Sequence, residues 1–253
     1  MKISVITPSF NQGAFLERTL NSVLDQRGDF ELEHIVVDGA STDNSLDILR
    51  RYGSRLKTVS EPDKGQSDAL NKGFRLATGD VFGWLNSDDT YEPGALAVVA
   101  DEWKRKPFAW CFGNCRTIDG QDREIRRWIT RYKEWHSRRY SFKRLLSCNF
   151  LSQPSIFVSR KAIDEAGDID VALRYAMDYE FFLRLARLSD PVYIDRYLAN
   201  FRWHGGSKSG TAYAETARVA YECAKKHAPK GARRQLVMNY LHYKAISIVY
   251  SLI

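Results

Sequence analysis

Three short polar segments stand directly after apolar, β-branched runs: Pro8-Ser9-Phe10-Asn11 after Ile3 to Thr7, Asp38-Gly39-Ala40-Ser41 after Leu32 to Val37, and Asn86-Ser87-Asp88-Asp89 after Val81 to Leu85. The adjacent carboxylates Asp88 and Asp89 are the sharpest feature. Two neighbouring negative charges behind a buried strand repel each other unless solvent or a hard divalent cation balances them. The plainer reading is a turn acid or helix cap ahead of Pro93. Asp178 reads as the N-cap of a helix bearing Phe181, Phe182, Leu185 and Ala186. His204, in Arg202-Trp203-His204-Gly205-Gly206-Ser207, reads by itself as an exposed turn histidine.

Pooling such groups requires strands that end on one edge of a sheet. The apolar runs at Ile3–Thr7, Leu32–Val37, Leu56–Val59 and Val81–Leu85 predict four strands. Between them, helical spacing predicts helices over Ala14–Gln26, after Asp43, and over Ser67–Ala77. Pro93 is expected at the start of a fourth helix reaching about Lys104. Such alternation predicts a mainly parallel sheet with helices on both faces, and ligands of open α/β sheets bind at the carboxyl ends of the strands. Further strands are expected at Phe108–Gly113, Ser155–Val158 and Val192–Ile194, with a turn at Ile118–Gln121 and a helix from about Asp178 to Leu188. Thr211 to Ile253 predicts two amphipathic helices split near Pro229-Lys230-Gly231.

Four segments together resemble the family 2 glycosyltransferases of the GT-A fold: Val5-Ile6-Thr7-Pro8-Ser9-Phe10-Asn11, Val36-Val37-Asp38-Gly39-Ala40-Ser41-Thr42-Asp43, Gly83-Trp84-Leu85-Asn86-Ser87-Asp88-Asp89, and Met177-Asp178-Tyr179-Glu180. Singly each is weak; in this order and spacing they are specific. The resemblance covers Ile3 to Ser209 and implies an α/β, Rossmann-like, mainly parallel sheet in a domain 1–209, with a nucleotide-binding part over about 1–113, an acceptor part over about 114–209, and a helical extension over 210–253. It implies inverting transfer of a sugar from a nucleotide-diphosphate donor, UDP-linked by expectation, to an acceptor hydroxyl, with Mn2+ or Mg2+ as cofactor.

By the same resemblance, Pro8, Ser9 and Asn11 meet the nucleoside, Asp38 takes the imide N–H of the base, and Lys64, Gly65 and Gln66 line the donor, although a solvated turn explains Lys64 equally well. Asp88 and Asp89 meet ribose and metal, with Asp89 the first choice as metal ligand. His204 joins the metal, Arg202 offsets phosphate charge, Gln153 lies on the acceptor-side floor, and Asp178 is the base. Asn86 departs from the family, which often has Asp there, and a neutral amide supplies less charge for a cation.

The chain's 253 residues, 44% hydrophobic and 27% charged, suit a globular protein with a sizeable core, and no apolar run approaches the ~20 residues of a membrane span. Met1 to Thr7 is too short for a signal peptide, so a cytoplasmic protein is expected. Cys111, Cys115, Cys148 and Cys223 have no metal-site spacing and are expected to be reduced. No GxGxxG or Walker-type loop supports a dehydrogenase or P-loop enzyme, and Gly65-Gln66-Ser67-Asp68-Ala69 only faintly mimics a serine-hydrolase elbow. The net charge of +7 fits anionic partners of several kinds. Its densest part, Arg123 to Arg144, interleaves cations with Trp128, Tyr132, Trp135, Tyr140 and Phe142. That stretch reads as an acceptor-side loop, a peripheral membrane contact or a plain solvated helix. Without an RNA- or DNA-binding motif, nucleic acid is not expected. The rival functions are a nucleotide-sugar-binding subunit without turnover and, less favoured, a basic nucleic-acid-binding module.

Overall fold

The computed structural model describes residues 1–205 and 213–251. In chain order its elements are β1 (Lys2–Ser9), α1 (Gly13–Leu24), β2 (Glu31–Asp38), α2 (Ser45–Tyr52), β3 (Lys57–Ser60), α3 (Gln66–Leu76), β4 (Val81–Trp84), β5 (Thr90–Tyr91), α4 (Ala95–Arg105), β6 (Trp110–Ile118), β7 (Glu124–Ile125), α5 (Arg127–Ser137), α6 (Phe142–Ser147), β8 (Ile156–Ser159), α7 (Arg160–Ala166), α8 (Met177–Leu188), β9 (Val192–Arg202), α9 (Tyr213–His227) and α10 (Arg233–Ser251). The strands form one sheet in the order β3-β2-β1-β4-β8-β6-β9-β5, with β7 added to β6. Pairing is parallel from β3 through β4 and again between β6 and β9. It is antiparallel at β4–β8, β8–β6, β6–β7 and β9–β5.

Both faces are covered, which is why β1 and β4 do not alternate apolar with exposed polar residues: even Ser4 and Thr7 of β1 are buried. Ile6 of β1 packs with Ala69 and Leu70 of α3, whereas Ile3 and Val5 pack on the opposite face with Val23, Leu96 and Val99. A third cluster joins Leu16 and Leu20 of α1 to Ile48 and Leu49 of α2 over Val36. Each such fully buried aliphatic side chain stabilises the fold by about 2 kcal/mol. All four cysteines are buried and free, as read from their spacing.

Several boundaries move for physical reasons. The first strand does not stop at Pro8 but runs through it to Ser9. Residues two apart on a strand face the same neighbour, so Pro8 shares the edge of Ile6, where β4 has already ended opposite Trp84. No ladder N–H is needed there. Pro93 lies outside α4, whose cap is Gly94 in the left-handed region. The largest shift is in β6 and β9, which continue through Asn114, Arg116, Asp195, Arg196 and Asn200 and pair over most of their length. Polar residues interrupt both apolar patterns, so only the first half of each strand was visible.

The two C-terminal helices appear on either side of Pro229–Gly231, as expected. Ala220, Cys223, Ala224 and Ala232 join the core cluster of α8, and Asn239 donates 2.8 Å to the carbonyl of Leu146 in α6. The expected domain boundary at 209/210 lies outside the described residues.

Gly73 of α3 faces β1 so closely that a Cβ would stand 2.3 Å from Cγ2 of Ile6. Alanine in a helix is ordinarily favoured over glycine by about 1 kcal/mol, but the stiff β-branched Ile6 cannot yield without moving the strand. Gly73→Ala is therefore expected to destabilise the fold by about 1–3 kcal/mol in urea titrations; a rise in the midpoint would contradict this packing.

Candidate active site

The carboxyl ends of β1, β2 and β4 lie side by side, and the polar segments that follow them are tied together by hydrogen bonds. Asn11 adopts φ 52° and Ala40 φ 61°, a conformation that costs a non-glycine residue free energy unless its surroundings hold it. The restraint is visible. The Asn11 side-chain Oδ1 accepts from the backbone N–H of Thr42 at 2.8 Å and of Asp43 at 3.3 Å, while its backbone N–H donates to Ser41 Oγ at 2.8 Å. Pro8 and Ser9 are buried beneath this turn, and the Ser9 carbonyl accepts from Gly39 N–H at 2.8 Å.

Asp38 is 0% exposed. Its carboxylate accepts from Ser41 Oγ (2.5 Å), Ser41 N–H (2.9 Å) and Ser60 Oγ (2.9 Å). The group expected to read a base edge thus holds the 38–41 turn closed, and contact with a base would require a serine hydroxyl to turn aside. Lys64 and Gly65 form the exposed approach to α3, where Gly65 takes φ 104° and donates to Asp63 Oδ1.

Asn86 is the centre of the next network. Its Oδ1 accepts from Gln66 Nε2 (2.6 Å) and Trp84 Nε1 (2.8 Å), while its Nδ2 donates to Asp89 Oδ2 (3.1 Å) and Gln153 Oε1 (3.0 Å). All four positions of the amide are used. A carboxylate could not donate to those two acceptors, which accounts for the departure at this position. Gln153, expected on the acceptor floor, is buried and spans from Asn86 to the Trp84 carbonyl.

The two neighbouring acids occupy different environments. Asp89 is fully buried. Its Oδ1 accepts the Arg202 N–H at 2.8 Å, and its backbone carbonyl accepts Thr19 Oγ1 from α1 at 2.8 Å. Burial, and then the charge of Asp88, push the Asp89 carboxyl well above the usual range. Asp88 instead keeps 18% of its side chain exposed, and its Oδ2 stands 3.0 Å from Nε2 of His204, which is 16% exposed. Asp89, the first choice as metal ligand, is thus enclosed, and of the two acids only Asp88 keeps exposed surface. His204, carried just past β9, packs its ring 4.7 Å from that of Phe15.

Arg202 is also corrected. Its side chain is 0% exposed; Nε donates to the Asp88 carbonyl and Nη1 to the Asp119 carbonyl, both at 2.7 Å, and the guanidinium pairs with Asp122. It secures the β6–β7 turn against the acidic segment instead of facing a phosphate.

Asp178 is not the cap of α8; Ala176 in the left-handed region is, and Asp178 lies in the first turn, where the helix N-terminus favours negative charge. Burial nevertheless raises its pKa, against the opposing pull of the Tyr179 N–H and the Lys133 ammonium. Met177 beside it accepts a hydrogen bond from Ser67 Oγ of α3, and Lys133 donates to Ser152 Oγ at 2.9 Å, next to Gln153. Asp178 therefore joins the other residues through α3 and the 152–153 turn. Sequence reading missed Lys133 and Thr19, while Gln66, expected to line the donor beside Lys64 and Gly65, donates instead to Asn86. Lys133 had a signal: Thr130, Lys133 and Ser137 recur at helical spacing between the exposed aromatics of α5.

The profile described as Glycosyl transferase family 2 matches residues 4–167. The chain belongs to that family. An uncharacterized glycosyltransferase of Nostoc sp. is 34% identical over 129 residues, covering 49% of this chain and 40% of that relative, so this match spans less than half of it. A PGL/p-HBAD biosynthesis glycosyltransferase of Mycobacterium bovis is 32% identical over 214 residues, covering 80% of this chain and 77% of the relative. Among solved structures, TarS of S. aureus in complex with UDP-GlcNAc superposes with a TM-score of 0.72 at 20% identity, covering 96% of this chain and 72% of that one. A mannosyltransferase of Pyrobaculum calidifontis in complex with GDP-Man and Mn2+ gives 0.66 at 20% identity, covering 94% and 68%. The fold is GT-A, and the protein is a family 2 glycosyltransferase.

Asn86→Asp tests the network. The new carboxylate would face Asp89 and the Gln153 carbonyl oxygen with no hydrogen to give, at a cost on the order of 3 kcal/mol at neutral pH. Such a carboxyl has a folded pKa above its unfolded one, so the variant's deficit against the native chain should grow as pH rises from the carboxylate range. Urea midpoints at acid and neutral pH check this; a deficit independent of pH would contradict it.

Proposed function

We propose that this glycosyltransferase moves a sugar from a nucleotide-diphosphate donor, UDP-linked, to an acceptor hydroxyl with inversion at the anomeric carbon, in the assembly of a cell-surface polysaccharide or glycolipid. The observation that carries the reading is the pairing of Asp88 with His204 at the rim of the network that joins the β1, β2 and β4 ends. The complexes with UDP-GlcNAc and with GDP-Man and Mn2+ support a nucleotide-sugar donor. The assembly role draws on the M. bovis relative, whose name places that protein in PGL/p-HBAD biosynthesis.

One carboxylate oxygen and one imidazole nitrogen at the same rim are donors that Mn2+ accepts more readily than oxygen-preferring Mg2+, and since no group of three His, Cys, Asp or Glu is assembled among the described residues, the donor diphosphate and water would supply the other ligands. We assign the metal to Asp88 and His204, with Asp89 as the buried acid that fixes Asp88 in place. When bound, the cation offsets the charge that gathers on the departing diphosphate. The turn formed by Asn11 and residues 38–42 receives the nucleoside above Pro8 and Ser9, and Lys64 and Gly65 border the donor. Their backbone is held before any ligand arrives, so less ordering is needed on binding.

Asp178 takes the proton of the acceptor hydroxyl as that oxygen attacks. A carboxylate held half out of water is a stronger base than a solvated one, and Lys133 keeps its charged form accessible. The non-catalytic alternative would bind donor without turnover.

Asp88→Asn is expected to weaken Mn2+-dependent UDP binding by about tenfold or more, measured by calorimetry, with little change in thermal midpoint. Asp178→Asn should leave UDP affinity nearly intact and lower transfer or slow donor hydrolysis by about 100-fold or more. Equal loss of donor affinity in both variants would contradict these roles, and intact binding with no turnover in the native chain across a panel of nucleotide sugars would favour the non-catalytic reading.

The raised pKa of Asp178 also has a direction. Its ionised form is required, so kcat/KM should rise with pH along a limb set above the ordinary 3.8. A pH–rate profile whose acid limb lies at or below that value would exclude Asp178 as the base.

A further inference from the structure

Two neighbouring helices leave apolar faces uncovered. On α5, Trp128, Tyr132 and Trp135 recur at i, i+4 and i+7, and Trp128 is 65% exposed. On α10, Val237, Met238 and Leu241 share the outward stripe, and Leu241 is 58% exposed. The helices meet where the Tyr132 and His242 rings stack with centroids 6.2 Å apart, which places the two stripes side by side. Scattered exposed apolar residues need no explanation, but aromatic and aliphatic side chains gathered on adjoining helices do.

The outward charges that the two helices carry have one sign, and the acids of adjoining segments are paired, Glu124 with Arg127, Asp195 with Arg138 and Glu222 with Lys225. Exposed Arg131 and Arg139 flank the aromatics of α5, and exposed Arg233, Arg234 and Lys244 flank the apolar stripe of α10. Glu134 is the only acid between residues 127 and 147, and it is occupied by the Tyr197 hydroxyl; residues 233–251 contain none. A second copy of the chain would bring the same cations against themselves. An anionic bilayer offers the complement, with headgroup phosphates for the Arg and Lys side chains and an interface that accepts Trp and Tyr rings.

The inner side of α5 gives this surface a functional place. Turned away from the aromatics, Lys133 reaches Ser152 and lies within electrostatic range of Asp178. One helix therefore has its outward stripe on the cationic patch and its inward side next to the proposed base.

We infer that α5 and α10 together form a docking surface for anionic phospholipid, which brings the acceptor side of the site to the membrane interface. No helix among the described residues is long and apolar enough to cross a bilayer, so this is contact with a surface and not insertion across it. The lipid contact stands on the patch alone. Only its meaning for the acceptor rests on the function proposed above.

The experiment is sedimentation of the full chain with vesicles of equal parts phosphatidylglycerol and phosphatidylcholine, against vesicles of phosphatidylcholine alone. The native chain is expected to partition onto the mixed vesicles and only weakly onto the neutral ones, and added salt should reduce the difference. Trp128→Ser combined with Leu241→Ser should lower partition by about tenfold, and Arg131→Glu combined with Arg234→Glu should lower it comparably through charge. Both double variants should keep the native thermal midpoint and Mn2+–UDP affinity, since the altered side chains face outward. Three results would overturn the inference: no partition of the native chain, equal partition of native chain and variants, or a dimer in light scattering that Trp128→Ser with Leu241→Ser dissociates while no vesicle is bound. Loss of UDP binding in the native chain with vesicle partition intact would remove the donor reading and leave the lipid surface standing.

Discussion

The site depends on one buried carboxylate. Asp89 receives the side-chain amide of Asn86 from the end of β4 and the backbone N–H of Arg202 from the end of β9, while its own carbonyl is held by Thr19 of α1. Three elements distant in sequence are thereby fixed to one residue. Placing a charge there is costly, since burial and the Asp88 charge both oppose ionisation. What the arrangement provides is position: with Asp89 locked, its neighbour can only project toward His204. Adjacent acids thus divide into a structural and an accessible member, although their side chains are chemically identical.

Around that lock, several polar side chains find all their partners within the protein. Asn86 uses all four of its hydrogen-bonding positions, Asp38 takes three donors, and Asn11 spends its side-chain oxygen on the turn opposite. Such networks specify a single arrangement because any slip leaves a buried donor or acceptor unpaired. The sheet beneath them supplies only the common edge; the side-chain network converts that edge into a defined surface. Arg202 belongs to the same logic, since its guanidinium anchors the β6–β7 turn and the Asp88 backbone at once.

Much of the fold was legible in the sequence, because strands covered on both faces leave continuous apolar runs such as Ile3–Thr7 and Val81–Leu85. The extended second halves of β6 and β9 were not, since their residues alternate between core and polar surroundings and carry Asp, Arg and Asn. The candidate residues were legible as types and as neighbours of strand ends. Their division of labour was not. Nothing local distinguishes Asp88 from Asp89; the difference arises from a backbone N–H 113 residues away. Arg202 looked like a phosphate partner because an arginine beside a histidine gives no hint that it will be wholly enclosed. The departure at Asn86 looked like a weakened ligand until its four partners showed a group that must donate as well as accept.

The last strand carries a consequence for how the protein comes into being. His204 meets Asp88 across 116 residues of chain, and the portion that matches the family profile ends at residue 167, before β9 begins. On the ribosome, a nascent chain emerging from its N-terminus can assemble the β1–β2–β3–β4 ladder long before Arg202 and His204 exist. Closing so long a loop carries an entropic cost that only the completed β6–β9 pairing offsets. The half-made polypeptide therefore has the turns that follow β1 and β2 while still lacking the imidazole opposite Asp88, and that pairing is withheld until synthesis has passed the last strand in the chain.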